Sequence, residues 1–397
     1  MMYASVFILG RLSALGRAEL ESIYGAAHLE PVGSQAMASD VSPADIDFAR
    51  LGGAVRVGKV LAQVPTIAWP EIQRFLIQHL PEYLDALPAE GKVKLGLSAF
   101  DLAVNTQALL RTGLELKKVC KKSGRSARVV PNENLELSSA QVLHNQLCGE
   151  MGVELLLMRS GNQTLLAQTT AVQDINAYAH RDQNRPKRDA RVGMLPPKLA
   201  QTIVNMAAGP LPPQEDTVVL DPFCGTGVIL QEALLMGYGA YGTDLEPRMV
   251  DFTRQNLEWL STHHGATATN PLLEAGDATS HFWTGRFAAV ASETYLGRPL
   301  SSWPTGTDLR EIITTCNIIL EKFLRNLGGQ LPSGTRLCLA VPAWKSPSDH
   351  ISHLPLLDHL EEMGYNRVSF EHARNAELVY YRPEQLVARE LLVITRK

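Results

Sequence analysis

Nowhere in the 397 residues does an apolar run approach the roughly 18 positions that a membrane-crossing helix needs, so no transmembrane helix is expected. Cysteine is scarce and scattered: Cys120, Cys148, Cys224, Cys316 and Cys338 show no CxxC and no Cys/His spacing. That pattern speaks against a zinc module and a disulfide framework, so no metal is expected, and it suits a reducing, cytoplasmic setting. The short apolar patch at residues 6–9 has no basic residues ahead of it, unlike a signal peptide. The chain also lacks low-complexity tracts and internal repeats, which sets aside linkers and solenoids as its organising principle.

What is present is a globular composition, 45% hydrophobic and 20% charged, over a length that suggests two or three domains. The formal charge of −4 does not by itself point to a polyanionic partner, and its distribution is more informative. Residues 117–128 contain Lys117, Lys118, Lys121, Lys122, Arg125 and Arg128, and a second group comprises Arg181, Arg185, Lys187, Arg188 and Arg191. In an acidic chain such groups are either phosphate footprints or solvated helix and loop faces, and charge alone does not separate the two.

From residue 217 onward the pattern alternates strand and helix. Strands are expected at 218–220, 240–243, 287–291 and 336–341, and helices at 227–235, 249–260, 312–327 and 354–363. Alternation of this kind implies a parallel sheet with helices on both faces. The end breaks the rule: 367–370, 377–381 and 387–395 read as strands with no helix between them, and 382–385 as a polar turn. An antiparallel hairpin closing a parallel sheet is the ending of a class I, Rossmann-like methyltransferase with a mixed seven-stranded sheet. A dinucleotide-binding dehydrogenase ends in a sixth parallel strand. The first half reads as α+β, with strands at 3–9, 54–61, 92–97, 127–130, 153–158 and 164–170 and helices at 17–24, 105–123 and 138–147, besides an amphipathic helix within 65–88. The expected division is an N-terminal α+β region at 1–172, a basic linker at 173–193 and a catalytic domain at 194–397.

Chemistry concentrates in Leu220-Asp221-Pro222-Phe223-Cys224-Gly225-Thr226-Gly227, which follows a strand and opens a helix. Gly225 and Gly227 let the backbone pass close to a ligand, and the helix N-terminus offers N–H groups to a carboxylate. Asp221 is placed for the ammonium of a methionine moiety. Asp244, 23 residues later at the next strand end, is placed for a ribose diol, and Asp277 after a third strand for an adenine amine. A lone Asp at a strand end also serves as a helix N-cap, but three in succession beside a glycine turn describe an S-adenosylmethionine pocket. Phe223, Leu245 and Ala278 complete the expected cofactor contacts. Cys224 has no basic neighbour in sequence and is not expected to be a nucleophile. Arg382, Gln385 and Arg389 on the terminal hairpin either meet an RNA backbone or are solvated.

The glycine segment resembles the first motif of methyltransferases acting on exocyclic amino groups. The run Arg185-Pro186-Lys187-Arg188-Asp189-Ala190-Arg191-Val192-Gly193-Met194-Leu195-Pro196-Pro197-Lys198-Leu199-Ala200 is similar to the lead-in of the tRNA guanosine N2-methyltransferases that modify position ten. Gly113-Leu114-Glu115-Leu116-Lys117-Lys118 and Leu137-Ser138-Ser139-Ala140-Gln141-Val142-Leu143-His144-Asn145 look like that family's THUMP RNA-binding module. The resemblance implies tRNA as partner, with Lys117, Lys118, Lys121, Lys122, Arg125, Arg128, Arg185 and Arg188 on RNA, and Pro196 and Lys198 beside the cofactor's methionine end. It leaves a small accessory subunit open. That family carries Asp/Asn-Pro-Pro-Tyr/Phe after the fourth strand, where this chain has Ser292-Glu293-Thr294-Tyr295. Glu293 stands in for the acid, one methylene longer, and Tyr295 for the aromatic that stacks on the base. The prolines are missing, so a working variant and an impaired tRNA-binding protein both remain, as does a DNA amino-methyltransferase.

Overall fold

Residues 3–189, 194–266, 271–346, 351–382 and 385–397 are described by a computed structural model. The chain divides into two units: Met1–Ser13, Ala27–Ala49 and Ala54–Asn176 form the first, and Ala14–Ala26, Arg50–Gly53 and Ala177–Lys397 the second. In chain order the elements of the front part are β1 (Ser5–Leu9), α1 (Ser13–Tyr24), β2 (Leu29–Val32), β3 (Ala36–Ser39), β4 (Ala54–Val64), α2 (Trp69–Leu84), β5 (Val93–Phe100), α3 (Thr106–Lys122), β6 (Ala127–Val129), α4 (Ser139–His144), β7 (Gly152–Ser160), β8 (Gln163–Val172) and α5 (Ile175–Gln183).

The eight strands of the first unit form one mixed sheet in the order β2-β3-β1-β4-β8-β7-β5-β6, parallel only where β5 pairs with β6 and β7. Ile72, Leu76, Leu80 and Leu84 recur every four residues along α2, and this buried stripe packs in one core with Leu109, Leu116 and Cys120 of α3. Asn105 caps α3 by accepting from Ala108 N at 2.9 Å. The Ser138 to Gln141 stretch forms a capping box at the start of α4, which is shorter than the helix expected over 138–147. The β2–β3 hairpin was not among the expected elements.

The second unit continues with α6 (Pro197–Ala208), β9 (Val218–Asp221), α7 (Val228–Leu235), β10 (Gly239–Asp244), α8 (Pro247–His264), β11 (Leu272–Ala275), β12 (Ala289–Glu293), α9 (Gly306–Gly328), β13 (Arg336–Lys345), β14 (Ile351–Ser352), β15 (Tyr365–Arg367), β16 (Val379–Tyr380) and β17 (Val387–Arg396). The sheet runs β11-β10-β9-β12-β13-β17-β15, with the first five strands parallel and β17 and β15 antiparallel. The seven-stranded expectation holds for this path, and the two-residue strands β14 and β16 add to it by pairing with β13 and β17. Buried β13 and the inner face of α9, including Cys316, Leu320, Phe323, Leu324 and Leu327, form the core together with Trp283, Trp344 and Tyr365.

Three local expectations are corrected. Residues 354–363 form two 3-10 turns, Pro355–Asp358 and Leu360–Met363, because His359 leaves the helical region at φ −122° and Gly364 turns left-handed at +81°. The strand expected at 367–370 sits earlier, at β15. Residues 375–377 form a 3-10 turn, which leaves only β16 of the strand expected at 377–381. The basic stretch 173–193 contains α5, and its residues 190–193 lie outside the described residues, as do Pro383 and Glu384 of the terminal turn.

A buried polar cluster ties the second unit's early segments to α6. Glu19 on α1 accepts from Gly52 N at 2.8 Å, Gly53 N at 2.6 Å and Asn205 Nδ2 at 2.7 Å. Asn205 Oδ1 accepts from Arg50 Nη2 at 3.0 Å, and Arg50 also donates to Tyr238 Oη at 2.8 Å. Burial pushes the Glu19 carboxyl up, and its three hydrogen-bond donors pull against that shift.

Candidate active site

β9, β10, β11 and β12 are adjacent and parallel, so their C-terminal tips open on one edge of the sheet. Asp221, Asp244 and Glu293 end three of them, and Asp277 follows β11 by two residues. A crevice at strand tips is where ligands bind in open α/β sheets. The turn after β9 is held by its neighbours. Cys224 N donates to Thr243 O at 2.9 Å, Thr253 Oγ1 to Gly225 O at 2.9 Å, and Asn256 Nδ2 to Thr226 O at 2.8 Å.

The two glycines serve different ends. Gly225 is left-handed at φ +52°, and a Cβ there would have no neighbour nearer than 4.0 Å, so space is open above it. Gly227, at φ +84°, caps α7, and a Cβ on it would lie 2.8 Å from Thr253 Cγ2, so its lack of a side chain admits α8.

Asp221 is buried. Its Oδ1 accepts from Ser292 Oγ at 2.6 Å and Phe223 N at 3.2 Å. Burial first, and then the charges of Asp244 and Glu293, raise it to about 7, against the pull of its two hydrogen bonds. Asp244 accepts from Gly225 N at 2.8 Å and Glu246 N at 2.9 Å, which fixes both carboxylate oxygens beside the turn; burial raises it. Next to it Leu245 is 66% exposed, an apolar side chain held in solvent at the rim. Exposed Asp277 caps its own turn, accepting from Thr279 N at 2.9 Å and Thr279 Oγ1 at 2.8 Å. Ala278 is buried in the core, so only its backbone can face a ligand, and Phe223 packs edge-on against Phe323 with ring centroids 5.0 Å apart. The buried Cys224 thiol is driven far up by burial and by Asp221 and Asp244, as expected of a cysteine that is not a nucleophile.

At the fourth strand tip Ser292 and Glu293 take different partners. Ser292, not Glu293, reaches Asp221. Glu293 Oε1 instead accepts a short hydrogen bond from Arg389 Nε, inside an ion pair whose side chains are 14% and 3% exposed. Burial raises the Glu293 carboxyl above its ordinary range, and the charge and hydrogen bond of Arg389 offset part of that rise. Arg389 is therefore not a solvated or RNA-facing residue of the hairpin. Tyr295, 41% exposed, presents its ring to solvent.

Two of the expected RNA contacts are corrected. Arg185 is buried, with all three guanidinium nitrogens lacking hydrogen-bond partners among the described residues. Arg125 donates to the carbonyls of Leu84 at 2.5 Å, Leu87 at 3.1 Å and Pro88, so it anchors the chain after α2. Lys117, Lys118, Lys121, Lys122 and Arg128 are exposed, although Lys118 pairs with Glu115 at 2.7 Å. Lys117 and Lys121 border an open depression of about 760 Å³, together with Lys92, Arg111 and Leu114. Arg188 is exposed and donates to Met194 Sδ at 3.4 Å. Pro196 caps α6, while the Lys198 ammonium lies 5.7 Å from the Tyr178 ring centroid and senses the Glu19 carboxylate.

Sequence reasoning missed Ser292, Arg389 and Asn256. Asn256 also exchanges hydrogen bonds with Lys187 N and O at 2.9 and 3.0 Å, docking the basic stretch beside the glycine turn. Arg389 and Asn256 belong to no recognisable motif, and Ser292 stands in the motif segment without a residue type that signals its contact with Asp221. His263 and His264 end α8, and His264 Nε2 lies 2.9 Å from His180 Nδ1.

Five parallel strands closed by two antiparallel ones, with a glycine turn and acids at successive strand tips, make up the class I methyltransferase fold. A structure of TrmN from Thermus thermophilus shares the fold at a TM-score of 0.53, with 17% identity and 100% of each chain covered. A family profile described as "DNA methylase" matches residues 117–255. A probable tRNA (guanine(10)-N2)-dimethyltransferase of Methanothermococcus thermolithotrophicus is 41% identical over 144 residues, 36% of this chain and 78% of that protein. The tRNA (guanine(10)-N2)-dimethyltransferase of Methanothermobacter thermautotrophicus is 31% identical over 150 residues, 38% of this chain and 39% of that protein. The chain belongs to the tRNA (guanine(10)-N2)-dimethyltransferase family.

Proposed function

We propose that the chain is a cytoplasmic, S-adenosylmethionine-dependent tRNA methyltransferase acting on the exocyclic N2 amine of guanine. The observation that carries this reading is the convergence of Asp221, Asp244, Asp277 and Glu293 at four neighbouring parallel strand tips around the Gly225 turn. The residues fit the cofactor: a buried carboxylate for its ammonium, a backbone-fixed carboxylate for its ribose, an exposed Leu245 against its base, and open space above Gly225. When bound, S-adenosylmethionine supplies an electrophilic methyl on sulfur.

The chain's own task is then to prepare a poor nucleophile. The guanine amine's lone pair is delocalised into the ring, and an anionic acceptor on its N–H hydrogens localises that pair. Glu293 is that acceptor. Arg389 engages Oε1, and Oε2 has no partner among the described residues. Tyr295 offers a π-face on which an extruded base stacks. The exposed lysines of α3 follow the tRNA backbone, with the first unit acting as a THUMP-like RNA-binding module.

The test is methyl transfer from labelled cofactor to bulk tRNA and to DNA, followed by mass spectrometry of digested nucleosides. N2-methylated guanosine from tRNA is the expected product. Label on DNA adenine or cytosine instead would favour a DNA amino-methyltransferase, the reading that the match at residues 117–255 supports. Cofactor binding without transfer to either polymer would leave a tRNA-binding protein on a methyltransferase scaffold.

A further inference from the structure

β13 separates β12 from β17, yet a side chain crosses it. Glu293 lies opposite Ala340, and Arg389 opposite Pro342 two residues further along β13, so all four project from the same face of the sheet. The methyl group of Ala340 is too short to block the passage, and the Arg389 guanidinium reaches over it to Glu293 Oε1. At its other end Arg389 Nη1 donates to Gln385 Oε1 at 3.3 Å, which restrains the planar fork.

We propose that Arg389 is a positioning residue for methyl transfer: it holds the Glu293 carboxylate in its anionic form and turns the unpartnered Oε2 toward the substrate amine. The proposal rests on the reading of Glu293 as the amine acceptor. A carboxylate this enclosed, without a cation, takes up a proton and becomes a weaker acceptor that donates where an acceptor is needed. Among the described residues, no other charge supplies that cation. β9 contributes Asp221, which repels it. β13 presents Ala340 and Pro342. The sole charged residue of α6 is Lys198, whose charge is coupled to Glu19. Glu390, next to Arg389 on β17, is paired with His353 and Arg367.

The experiment measures kcat and KM on tRNA for the full chain between pH 6 and pH 9, with cofactor affinity by calorimetry as a folding control. Arg389→Gln is expected to lower kcat at pH 7 by at least about tenfold, with partial recovery toward pH 9 and KM for cofactor unchanged, because general acid–base contributions follow ionisation state. Arg389→Lys keeps the charge without the fork. It is expected to retain the wild-type pH profile with a reduced kcat, and it serves as the test should Arg389→Gln fail to bind cofactor. Wild-type kcat and pH profile in either folded variant, alongside a disabled Glu293→Gln, would overturn the role of Arg389 alone. Full activity in Glu293→Gln would instead remove the acceptor reading beneath it.

Discussion

Asn at position 221 is close in shape to the Asp it would replace, yet the two side chains should have opposite effects on the ligand-free and ligand-bound protein. Asn keeps an oxygen to accept from Ser292 Oγ and Phe223 N, so Asp221→Asn removes the charge and little else. Raising the carboxyl from its ordinary 3.8 to about 7 is a penalty on the ionised form of about 4 kcal/mol. The folded pKa is above the unfolded one, so the folded chain holds the proton longer. Stability therefore falls as pH rises from about 4 to about 7 and is flat above that window. Without cofactor at pH 8, Asp221→Asn is accordingly expected to be more stable than wild type, by on the order of 1–4 kcal/mol in urea denaturation. Bound cofactor reverses the ranking, because its ammonium offsets the buried charge. Loss of a charge-assisted hydrogen bond should weaken S-adenosylhomocysteine binding by about 2–3 kcal/mol in the Asn variant. Wild-type affinity should fall by up to about tenfold per pH unit below pH 7 for S-adenosylhomocysteine, but not for methylthioadenosine, which has no ammonium. An Asn variant less stable than wild type at pH 8 without ligand, or one that binds S-adenosylhomocysteine as tightly, would refute this account.

Four further outcomes are expected. Gly227→Ala combines a left-handed φ of +84° with a Cβ 2.8 Å from Thr253 Cγ2. It should cost about 2–3 kcal/mol in chemical denaturation, and adding Thr253→Ala should restore part of that loss. Asp244→Ala frees Gly225 N and Glu246 N and removes the ribose acceptor, so calorimetry should show cofactor affinity weaker by about 1–3 kcal/mol; unchanged affinity would remove the residue from the pocket. In the first unit, Arg125→Ala should lower thermal stability, because three carbonyls lose their donor. Lys121→Glu should instead leave stability intact while weakening tRNA binding and flattening its salt dependence.

The parallel core of the second unit was legible because each strand is a short apolar run ending in an acid or a turn. Asp221 and Asp244 were legible for the same reason, as a local pattern with a chemical purpose. Arg389 was not, because its partner Glu293 is 96 residues away and the pair exists only once β17 lies two strands from β12. Ser292 was not legible, because a strand pattern does not fix which residue at the tip turns toward Asp221 on the neighbouring strand. Arg125 and Arg185 counted as surface charges in their clusters, but a cluster gives composition, not direction: one guanidinium turned to backbone carbonyls and the other to the interior. Residues 354–363 have helical apolar spacing but too little length to survive the break at His359.

The second unit is not contiguous, and this bears on how it is made. Glu19 and Arg50 leave the ribosome well before Asn205, and Ser22 precedes its partner Arg336 by most of the protein's length. A buried carboxylate and guanidinium must wait, solvated, while some 150 further residues are translated. The earliest helix to be synthesised is thus among the last pieces to settle. A fragment starting at residue 194 would be born with vacant sockets where α1 and the Arg50 turn belong.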